Sequence, residues 1–271
     1  MGIIRYIATA DAEITDAHKE NLTTRATGSN MGAADTMGVF SIYGQSMSSS
    51  LEKARALVQF DTGSILLDRN NGTIPASGSV SFYLRMFNSA HPFTLPENFT
   101  MKVAGVTGSS WAEGDGKDAE KGAVNWISSS TGATWTNPGG DFYTQAPLYT
   151  QYFDSGTEDL EIDITHLVES WMSGEKANYG VGVMLDTSYE DGSAQRSYYI
   201  KRFHARNSSY FFKRPTLEAR WDSSIQDDKN DFHYSSSLAT PADNTSKLAF
   251  YNVYRGRLAN VAAGANAKMF C

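Results

Sequence analysis

The sequence has almost no cysteine, and it contains no long apolar run. Its single cysteine, Cys271, is the last residue, so no intrachain disulfide can form. The first residues, MGIIRYIATADAEI, lack the apolar core of a signal peptide, and no stretch approaches the ~18 apolar residues of a membrane span. We therefore expect no membrane insertion, and folding in a reducing cytosol.

The sequence also has fewer basic than acidic residues. The 271 residues contain 23 Lys and Arg against 30 Asp and Glu, which gives a net charge of −7. Binding to nucleic acid depends on clustered positive charge that contacts the phosphate backbone. We therefore expect no nucleic-acid partner.

The motifs of common enzyme and cofactor sites are missing as well. The five histidines are dispersed along the sequence and lack the spacing of zinc ligands. There is no glycine-rich phosphate loop and no Gly-x-Ser-x-Gly nucleophile motif. We therefore predict that the protein is not an enzyme and has no catalytic residue, metal site or cofactor.

What the sequence does contain is a series of short β-type segments. In residues 79–87 (SVSFYLRMF) the even positions are apolar and the odd positions are mainly polar or amphipathic. Such alternation places one set of side chains in a core and the other toward water. Similar segments recur between clusters of Gly, Pro, Asn and Ser, which form turns. The pattern predicts a mostly β fold, an antiparallel jelly-roll-like β-sandwich.

One short helix is predicted within this β pattern. Thr165 is a suitable N-cap, and Gly174 can end the helix in a left-handed conformation. The apolar residues between them share one face: Leu167, Val168, Trp171 and Met172. A helix of about two turns depends on tertiary packing, so we expect it to close one end of the sandwich.

The composition changes after Trp221. The next ten residues, DSSIQDDKND, are polar and charged, as is typical of a domain boundary. We predict a first domain over 1–222, a linker over 223–247 and a C-terminal β-segment over 248–271. That last segment is too short to bury its own core, so we expect an interface arm or the start of an incomplete second domain.

Two acidic groups are candidates for chemistry. Glu161 and Asp163 share one face of a predicted strand, as paired glycosidase carboxylates would, but the solvated face of a half-buried strand has the same pattern. The loop 113–120 (EGDGKDAE) could ligate Ca2+ through several oxygens. A mobile acidic loop has the same composition, and the spacing is not that of an EF-hand.

Aromatic and basic side chains are interleaved through residues 198–214, the one locally basic stretch. Three interpretations are open: a core filled by alternate aromatics, a face that stacks glycans or nucleic acid, and a subunit interface. Because the chain is acidic and Tyr, Phe and Arg are common interface anchors, we favour the interface. With residues from the C-terminal segment, the predicted interface comprises Tyr198, Tyr199, Arg202, Arg206, Tyr210, Phe211, Phe212, Tyr251, Arg255 and Arg257.

Five segments, taken in order, carry a resemblance to one family. They are RALVQFD (55–61), WAEG (111–114), TWTN (134–137), DLEIDITHLVESW (159–171) and KRPTLE (213–218). Together they resemble the motifs of DNRLRE-type domains across residues 3–222. The resemblance implies a jelly-roll-like β-sandwich of the kind used as carbohydrate-binding or adhesive modules in secreted proteins, with no catalytic residues.

The sequence departs from that family in setting and in length. We expect no export signal, because the first residues lack its apolar core, and the sequence carries insertions at 69–76 and 117–131. Together with the segment LAFYNVYRGRL (248–258), this version of the domain is similar to virion structural proteins of tailed bacteriophages. A phage particle assembles in the host cytoplasm, which would explain the missing signal.

These observations lead to two main hypotheses. The first is a structural component of a bacteriophage virion, in the tail, neck or capsid surface, whose partners are other virion proteins and further copies of itself. The alternative is a carbohydrate-binding module that recognises host-surface glycans on an exposed platform formed by Trp111, Trp126 and Trp135. Packing of Trp126 and Trp135 in the core, or as a shield for loops, is the competing interpretation. A polysaccharide-cleaving enzyme that uses Glu161 is the third hypothesis.

Overall fold

The computed structural model describes residues 1–43, 51–116, 123–145 and 149–224, and in the remaining chain 227, 229, 237, 238, 240, 241, 249 and 253–258. Contacts within the chain define two compact units, Met1–Asp222 and Ser223–Cys271. The boundary falls one residue after Trp221, where the composition of the sequence changes.

Two antiparallel β-sheets form the first unit. The strands of the smaller sheet are β1 (Gly2–Ile7), β5 (Ser81–Met86), β10 (Leu160–Asp163) and β13 (Thr216–Trp221). Their order in space is β1-β13-β5-β10. The predicted mostly β, antiparallel, sandwich-like fold is confirmed.

The larger sheet has seven strands. They are β2 (Ala10–Thr15), β3 (Thr36–Ile42), β4 (Glu52–Gln59), β6 (Phe99–Gly105), β9 (Tyr149–Phe153), β11 (Val181–Leu185) and β12 (Tyr198–His204). The order is β12-β3-β4-β11-β6-β9, and β2 pairs with β4. A separate short hairpin consists of β7 (Ser128–Ser130) and β8 (Ala133–Thr134).

The main hydrophobic core contains inward-facing side chains from both sheets. The predicted alternation in β5 is confirmed, because Phe82, Leu84 and Met86 are all fully buried. On the larger sheet, the rings of Phe99 in β6 and its register partner Phe153 in β9 stack with centroids 5.0 Å apart. Burying one such side chain contributes about 1.5–3 kcal/mol, so this layer is the main source of stability.

A second, smaller core lies on the opposite face of the seven-stranded sheet. In β4, Leu57 belongs to this second core, whereas its neighbours Ala56 and Val58 belong to the main core. The rest comes from β2 and from residues 106–135: Ala12, Ile14, Val106, Trp111, Val124, Trp126 and Trp135. The described residues of the long connection between β6 and β9 thus cover this face of the sheet with apolar side chains of their own.

The predicted helix is present as α2 (Thr165–Met172), but Thr165 is not its N-cap. The N-cap residue is Ile164, and the Thr165 hydroxyl instead donates to Asp163 Oδ1 (2.6 Å) and accepts from the Phe82 N–H (2.8 Å). Thr165 therefore ties the start of the helix to β5. Gly174 has a φ of +78°, as the predicted left-handed helix end requires.

Two further helices were not expected from the sequence pattern. They are α1 (Thr62–Asn70) and the one-turn α3 (Thr187–Glu190). Asp61 caps α1, since its carboxylate accepts hydrogen bonds from the N–H groups of Gly63 and Ser64. An ion pair between Arg69 and Glu169, with two hydrogen bonds of 2.6 and 2.9 Å, joins α1 to α2.

A side chain joins β9, an edge strand of the larger sheet, to β10, an edge strand of the smaller sheet. Gln151 in β9 donates from Nε2 to the carbonyl oxygen of Asp159 (2.8 Å) and accepts from the N–H of Glu161 (2.7 Å) through Oε1. The glutamine amide thus makes both hydrogen bonds that a neighbouring strand would make to this part of β10.

The second unit is described in part. Strands β14 (Val253–Tyr254) and β15 (Arg257–Leu258) form an antiparallel hairpin. Its turn consists of Arg255 and Gly256, both with positive φ. Most of the predicted linker and C-terminal segment lie outside the described residues. In the described part of the chain, no helix is long and apolar enough to cross a membrane.

Candidate functional site

Three consecutive exposed aromatic residues follow β12 in the predicted interface stretch. They lie in Tyr210–Arg214, a segment that we call the aromatic turn and that includes a 3-10 turn at Phe211–Lys213. The side chains of Tyr210, Phe211 and Phe212 are 61%, 52% and 86% exposed. Solvent exposure of three consecutive aromatic rings is unusual, because each ring loses the free energy that burial would give.

The local sequence explains why these rings face outward. Ser208 is buried, and its carbonyl oxygen accepts hydrogen bonds from Nε and Nη2 of Arg214, both at 3.1 Å. Its hydroxyl accepts from the Tyr210 N–H at 3.3 Å. Pro215 then restricts the backbone as the chain enters β13. The turn is therefore closed at its base, and the rings between the two ends project from it.

A groove of about 630 Å³ lies between this turn and the outer side of the four-stranded sheet. We call it the Phe211–Phe212 groove. The turn supplies the two phenyl rings, and the sheet supplies apolar and cationic side chains. The remaining lining residues are Arg5 and Ile7 from β1, Arg85 and Phe87 from β5 and its extension, and Thr216 from β13.

Strand register brings the cationic residues together. Arg5 is paired with Glu218 across β1 and β13, and Thr216 is paired with Arg85 across β13 and β5. The Arg5 side chain remains 60% exposed, so part of its guanidinium is available to a partner.

Glu218 connects this set of arginines. Its buried carboxylate accepts from Arg5 Nε at 2.7 Å, from Arg220 Nε at 2.9 Å and from Arg85 Nη1 at 3.2 Å. Burial alone would raise the pKa of Glu218, but the hydrogen bonds from Arg5, Arg220 and Arg85 outweigh it and lower the pKa to about 2. The carboxylate is therefore ionised at neutral pH.

Glu161 completes the charged network. It accepts from Arg220 Nη1 at 2.6 Å and lies 3.1 Å from Arg85 Nε. Hydrogen bonding to Arg220 lowers the pKa of Glu161. The network thus combines three guanidinium groups with two carboxylates, which leaves one excess positive charge beside the groove.

Cation–π contacts organise the same surface. The Arg85 guanidinium carbon lies 4.9 Å from the Phe87 ring centroid, and that of Arg220 lies 4.2 Å from the Tyr83 centroid. In the aromatic turn, Arg214 lies 5.2 Å from the ring of Phe211. Such contacts hold guanidinium groups flat against rings, which is a common arrangement at protein interfaces.

The other predicted interface residues of this stretch lie in different environments. Tyr198 is buried against Tyr189, with ring centroids 4.4 Å apart, whereas Tyr199 is exposed. Arg202 contacts the ring of Phe93, and Arg206 is paired with Glu113. Of the predicted residues in this stretch, only Phe211 and Phe212 line the groove.

Three predicted interface residues belong to the second unit. Arg255 is exposed in the turn of the hairpin, with a φ of +51°. Arg257 lies in β15, and Tyr251 lies outside the described residues.

The three candidate glycan-binding tryptophans do not form an exposed platform, because all three are buried in the second core. Trp111 Nε1 donates to the carbonyl oxygen of Tyr179 at 2.8 Å. Trp135 Nε1 donates to the carbonyl oxygen of Asn125 at 3.0 Å. The ring of Trp126 lies 5.1 Å from the Arg55 guanidinium carbon. Of the two interpretations, packing under loops is the one that the structure supports.

The predicted acidic loop is described only as far as Gly116. Within that part, Glu113 is engaged by Arg206 and by the backbone N–H of Asp11. Asp163, the partner of Glu161 in the paired-carboxylate hypothesis, accepts two hydrogen bonds from Thr165. Among the described residues, no three His, Cys, Asp or Glu side chains are grouped as metal ligands.

No protein-family model matches the chain, and the comparison with curated proteins also finds no match.

Proposed function

We propose that this chain is a structural component of a tailed-bacteriophage virion and acts through protein–protein contacts at the Phe211–Phe212 groove. The observation that carries the contact role is the exposure of Phe211 and Phe212 beside a partly exposed guanidinium of Arg5. Aromatic residues, including phenylalanine, and arginine are enriched at protein interfaces.

The energetics of the turn favour this role. Transfer of one exposed phenyl ring into a partner contributes about 1.5–3 kcal/mol. The hydrogen bonds between Arg214 and Ser208 already hold the turn, so little conformational entropy remains to be lost on binding. The surface is thus preorganised for contact.

The virion context rests on the sequence. The five DNRLRE-like segments occur in family order, and LAFYNVYRGRL resembles segments of tailed-phage structural proteins. Components of phage particles are repeated about symmetry axes, so the first partner to test is a second copy of this chain.

The test is the oligomeric state of the full chain, measured by size-exclusion chromatography with light scattering. We expect a defined oligomer for the wild type and a monomer for the double variant Phe211→Ala/Phe212→Ala, with unchanged far-UV circular dichroism. Leu67→Ala is the matched control, because Leu67 is an exposed apolar residue on α1 outside the groove. This control should remain oligomeric.

Two results would count against the proposal. One is a wild-type chain that stays monomeric at every concentration and does not bind other particle proteins. The other is a double variant that assembles as the wild type does. A monomer whose binding to a glycan array is lost in the double variant would favour the carbohydrate-binding alternative.

A further inference from the structure

A lysine lies fully buried in the first unit. Lys201 in β12 has no exposed surface, and its ammonium group makes three hydrogen bonds. The acceptors are Asn88 Oδ1 at 2.7 Å, the carbonyl oxygen of Gly156 at 2.9 Å and the carbonyl oxygen of Glu158 at 2.6 Å. A lysine is rarely buried to this extent, because removal of its charge from water is costly.

The surroundings of Lys201 weaken its hold on a proton. Its nitrogen lies 5.1 Å from the ring centroids of both Phe153 and Phe203. Burial lowers the pKa of the Lys201 ammonium to about 8, although the carboxylates of Glu158 and Asp159 oppose this effect. A neutral amine, which is a nucleophile, is therefore accessible near neutral pH.

Asn88 is held next to this nitrogen by backbone pairing. It follows β5 and forms an antiparallel bridge with Phe203, two residues after Lys201. On either side of this bridge, Ser89 N–H donates to the Arg202 carbonyl oxygen at 2.9 Å, and His204 N–H donates to the Phe87 carbonyl oxygen at 3.0 Å. The side-chain amide and the amine are thus brought together by strand register.

The hydrogen bonds also suit the neutral amine. An ammonium donates to all three acceptors, whereas an amine has only two N–H groups. The carbonyl oxygens of Gly156 and Glu158 can accept both of these, so deprotonation removes the hydrogen bond to Asn88 Oδ1 and lets the Asn88 amide turn its Cγ toward the nitrogen lone pair. A carboxylate is adjacent, because Asp159 Oδ1 accepts from the backbone N–H of Asn88 at 2.8 Å.

We propose that Lys201 and Asn88 join in an intramolecular isopeptide bond. The Lys201 ammonium first gives one proton to a base, for which the Asp159 carboxylate is the candidate. The amine lone pair then attacks Cγ of Asn88, and the carbonyl electrons move to Oδ1. The attacking nitrogen then gives up its second proton and Nδ2 gains one, with the Asp159 carboxyl as the candidate carrier. As the intermediate collapses, the bond from Cγ to Nδ2 breaks and Nδ2 leaves as ammonia. The products are one secondary amide and one ammonia, and no oxidant is needed.

The bond would join the two sheets covalently. Lys201 lies in β12 of the seven-stranded sheet, and Asn88 lies two residues after the end of β5 of the four-stranded sheet. The two residues are 113 positions apart in the chain, so the cross-link would close a long loop and restrict the unfolded state. This inference does not depend on the proposed virion function.

The test is intact-mass spectrometry of the purified full chain, followed by peptide mapping. We expect the wild type to be lighter than its calculated mass by one ammonia, and a branched peptide to link Asn88 to Lys201. Lys201→Arg keeps a cation but cannot form the bond, so it should have its full calculated mass. Asn88→Asp gives a distinct signature, because a bond to aspartate would release water instead.

The outcomes separate the reaction from a purely structural lysine. Asp159→Asn should slow the mass loss while the chain still folds, as judged by circular dichroism. A wild type that keeps its full mass after incubation under alkaline conditions that deprotonate the lysine would overturn the proposal. So would an ammonia loss that mapping assigns to a linear peptide, since an asparagine can also lose ammonia by closing on its own backbone.

Discussion

Arg206 and Glu113 form a two-point ion pair, with Arg206 Nε 3.0 Å from Oε1 and Nη2 2.7 Å from Oε2 of Glu113. The pair joins the loop after β12 to the long connection that covers the second core. Asp11, at the start of β2, contacts both partners, because it accepts from the Arg206 N–H and its own N–H donates to Glu113. Three distant parts of the chain thus meet at one charged junction.

Removal of one partner from this junction should be costly. We expect Arg206→Ala to lower the free energy of unfolding by about 1–3 kcal/mol, because it leaves the Glu113 carboxylate without its charged donor. Urea denaturation of the wild type, the two single variants and the double variant Arg206→Ala/Glu113→Ala would measure the coupling. Fully additive losses would show that the pair contributes nothing beyond its separate contacts.

Glu13 should make the first unit less stable at high pH. Burial raises its pKa to about 7 from an ordinary value of 4.5, although a hydrogen bond from the Gly38 N–H favours the ionised form. Because the folded state holds this proton more tightly than the unfolded state, stability falls as pH rises from 4.5 to 7. Below pH 4.5 the group is protonated in both states and imposes no such penalty.

The variant Glu13→Gln isolates this effect, since its amide oxygen can still accept from Gly38. We expect it to be more stable than the wild type at pH 8 by up to about 3 kcal/mol, and equally stable at pH 4. Urea midpoints at both pH values would provide the measurement. Equal midpoints at pH 8 would mean that burial of the ionised Glu13 carboxylate does not destabilise the fold.

Glu218 should have the opposite pH dependence. Its pKa is lowered to about 2 by hydrogen bonds from three arginines that outweigh burial, so the stability it provides is present above pH 4.5 and is lost as pH falls toward 2. We expect Glu218→Gln to lower the free energy of unfolding at pH 7 by about 1–3 kcal/mol. The more exposed Glu161→Gln is the matched control and should cost less than about 1 kcal/mol.

Denaturation at two pH values separates the effect of Glu218 ionisation from that of its packing. If Glu218 only organises the arginines, the loss should appear in denaturation curves and become smaller at pH 3. A loss of the same size at pH 3 and pH 7 would indicate that packing, rather than ionisation, is the cause.

Asn30 should be needed to hold the long connection in place. It is fully buried, and its amide donates to the carbonyl oxygens of Glu113 and Val124 at 2.8 Å each and accepts from the Gly116 N–H at 2.9 Å. Asn30→Ala leaves three buried backbone groups without partners, so we expect a loss of about 2–4 kcal/mol.

The measurement for Asn30 is tryptophan fluorescence during urea titration, because three tryptophans of this connection lie in the second core. Asn21→Ala is a suitable control, since Asn21 is also an asparagine with local hydrogen bonds but is exposed. A native-like emission spectrum and an unchanged midpoint for Asn30→Ala would contradict the assigned role.

Local patterns predicted the strands whose two faces differ in polarity. In β5, apolar residues alternate strictly, and the structure buries all of them. The sequence of β2 (ADAEIT) also alternates, but Asp11 and Glu13 on its polar face are buried, which alternation does not predict. Helix α1 was missed because Leu67 faces solvent, which removes the amphipathic pattern of a packed helix.

The candidate site was predictable only where it is local in sequence. Phe211 and Phe212 stand out in a dense aromatic and basic stretch. Arg5 and Arg85 are far apart in the chain and meet only through strand register with β13, which a single sequence does not specify. The sequence left the burial of the tryptophans undecided for a related reason, because composition does not show that the described residues in 106–116 and 123–135 bring their own apolar layer.

The amide of Gln151 also limits how copies of this protein can join. An open edge strand invites a neighbouring molecule to extend the sheet, and repeated extension produces fibres. Here the glutamine side chain already satisfies the N–H of Glu161 and the carbonyl oxygen of Asp159. Another molecule could add a strand to this edge of β10 only after the Gln151 side chain is displaced. Contacts between copies are therefore expected to be made by side chains.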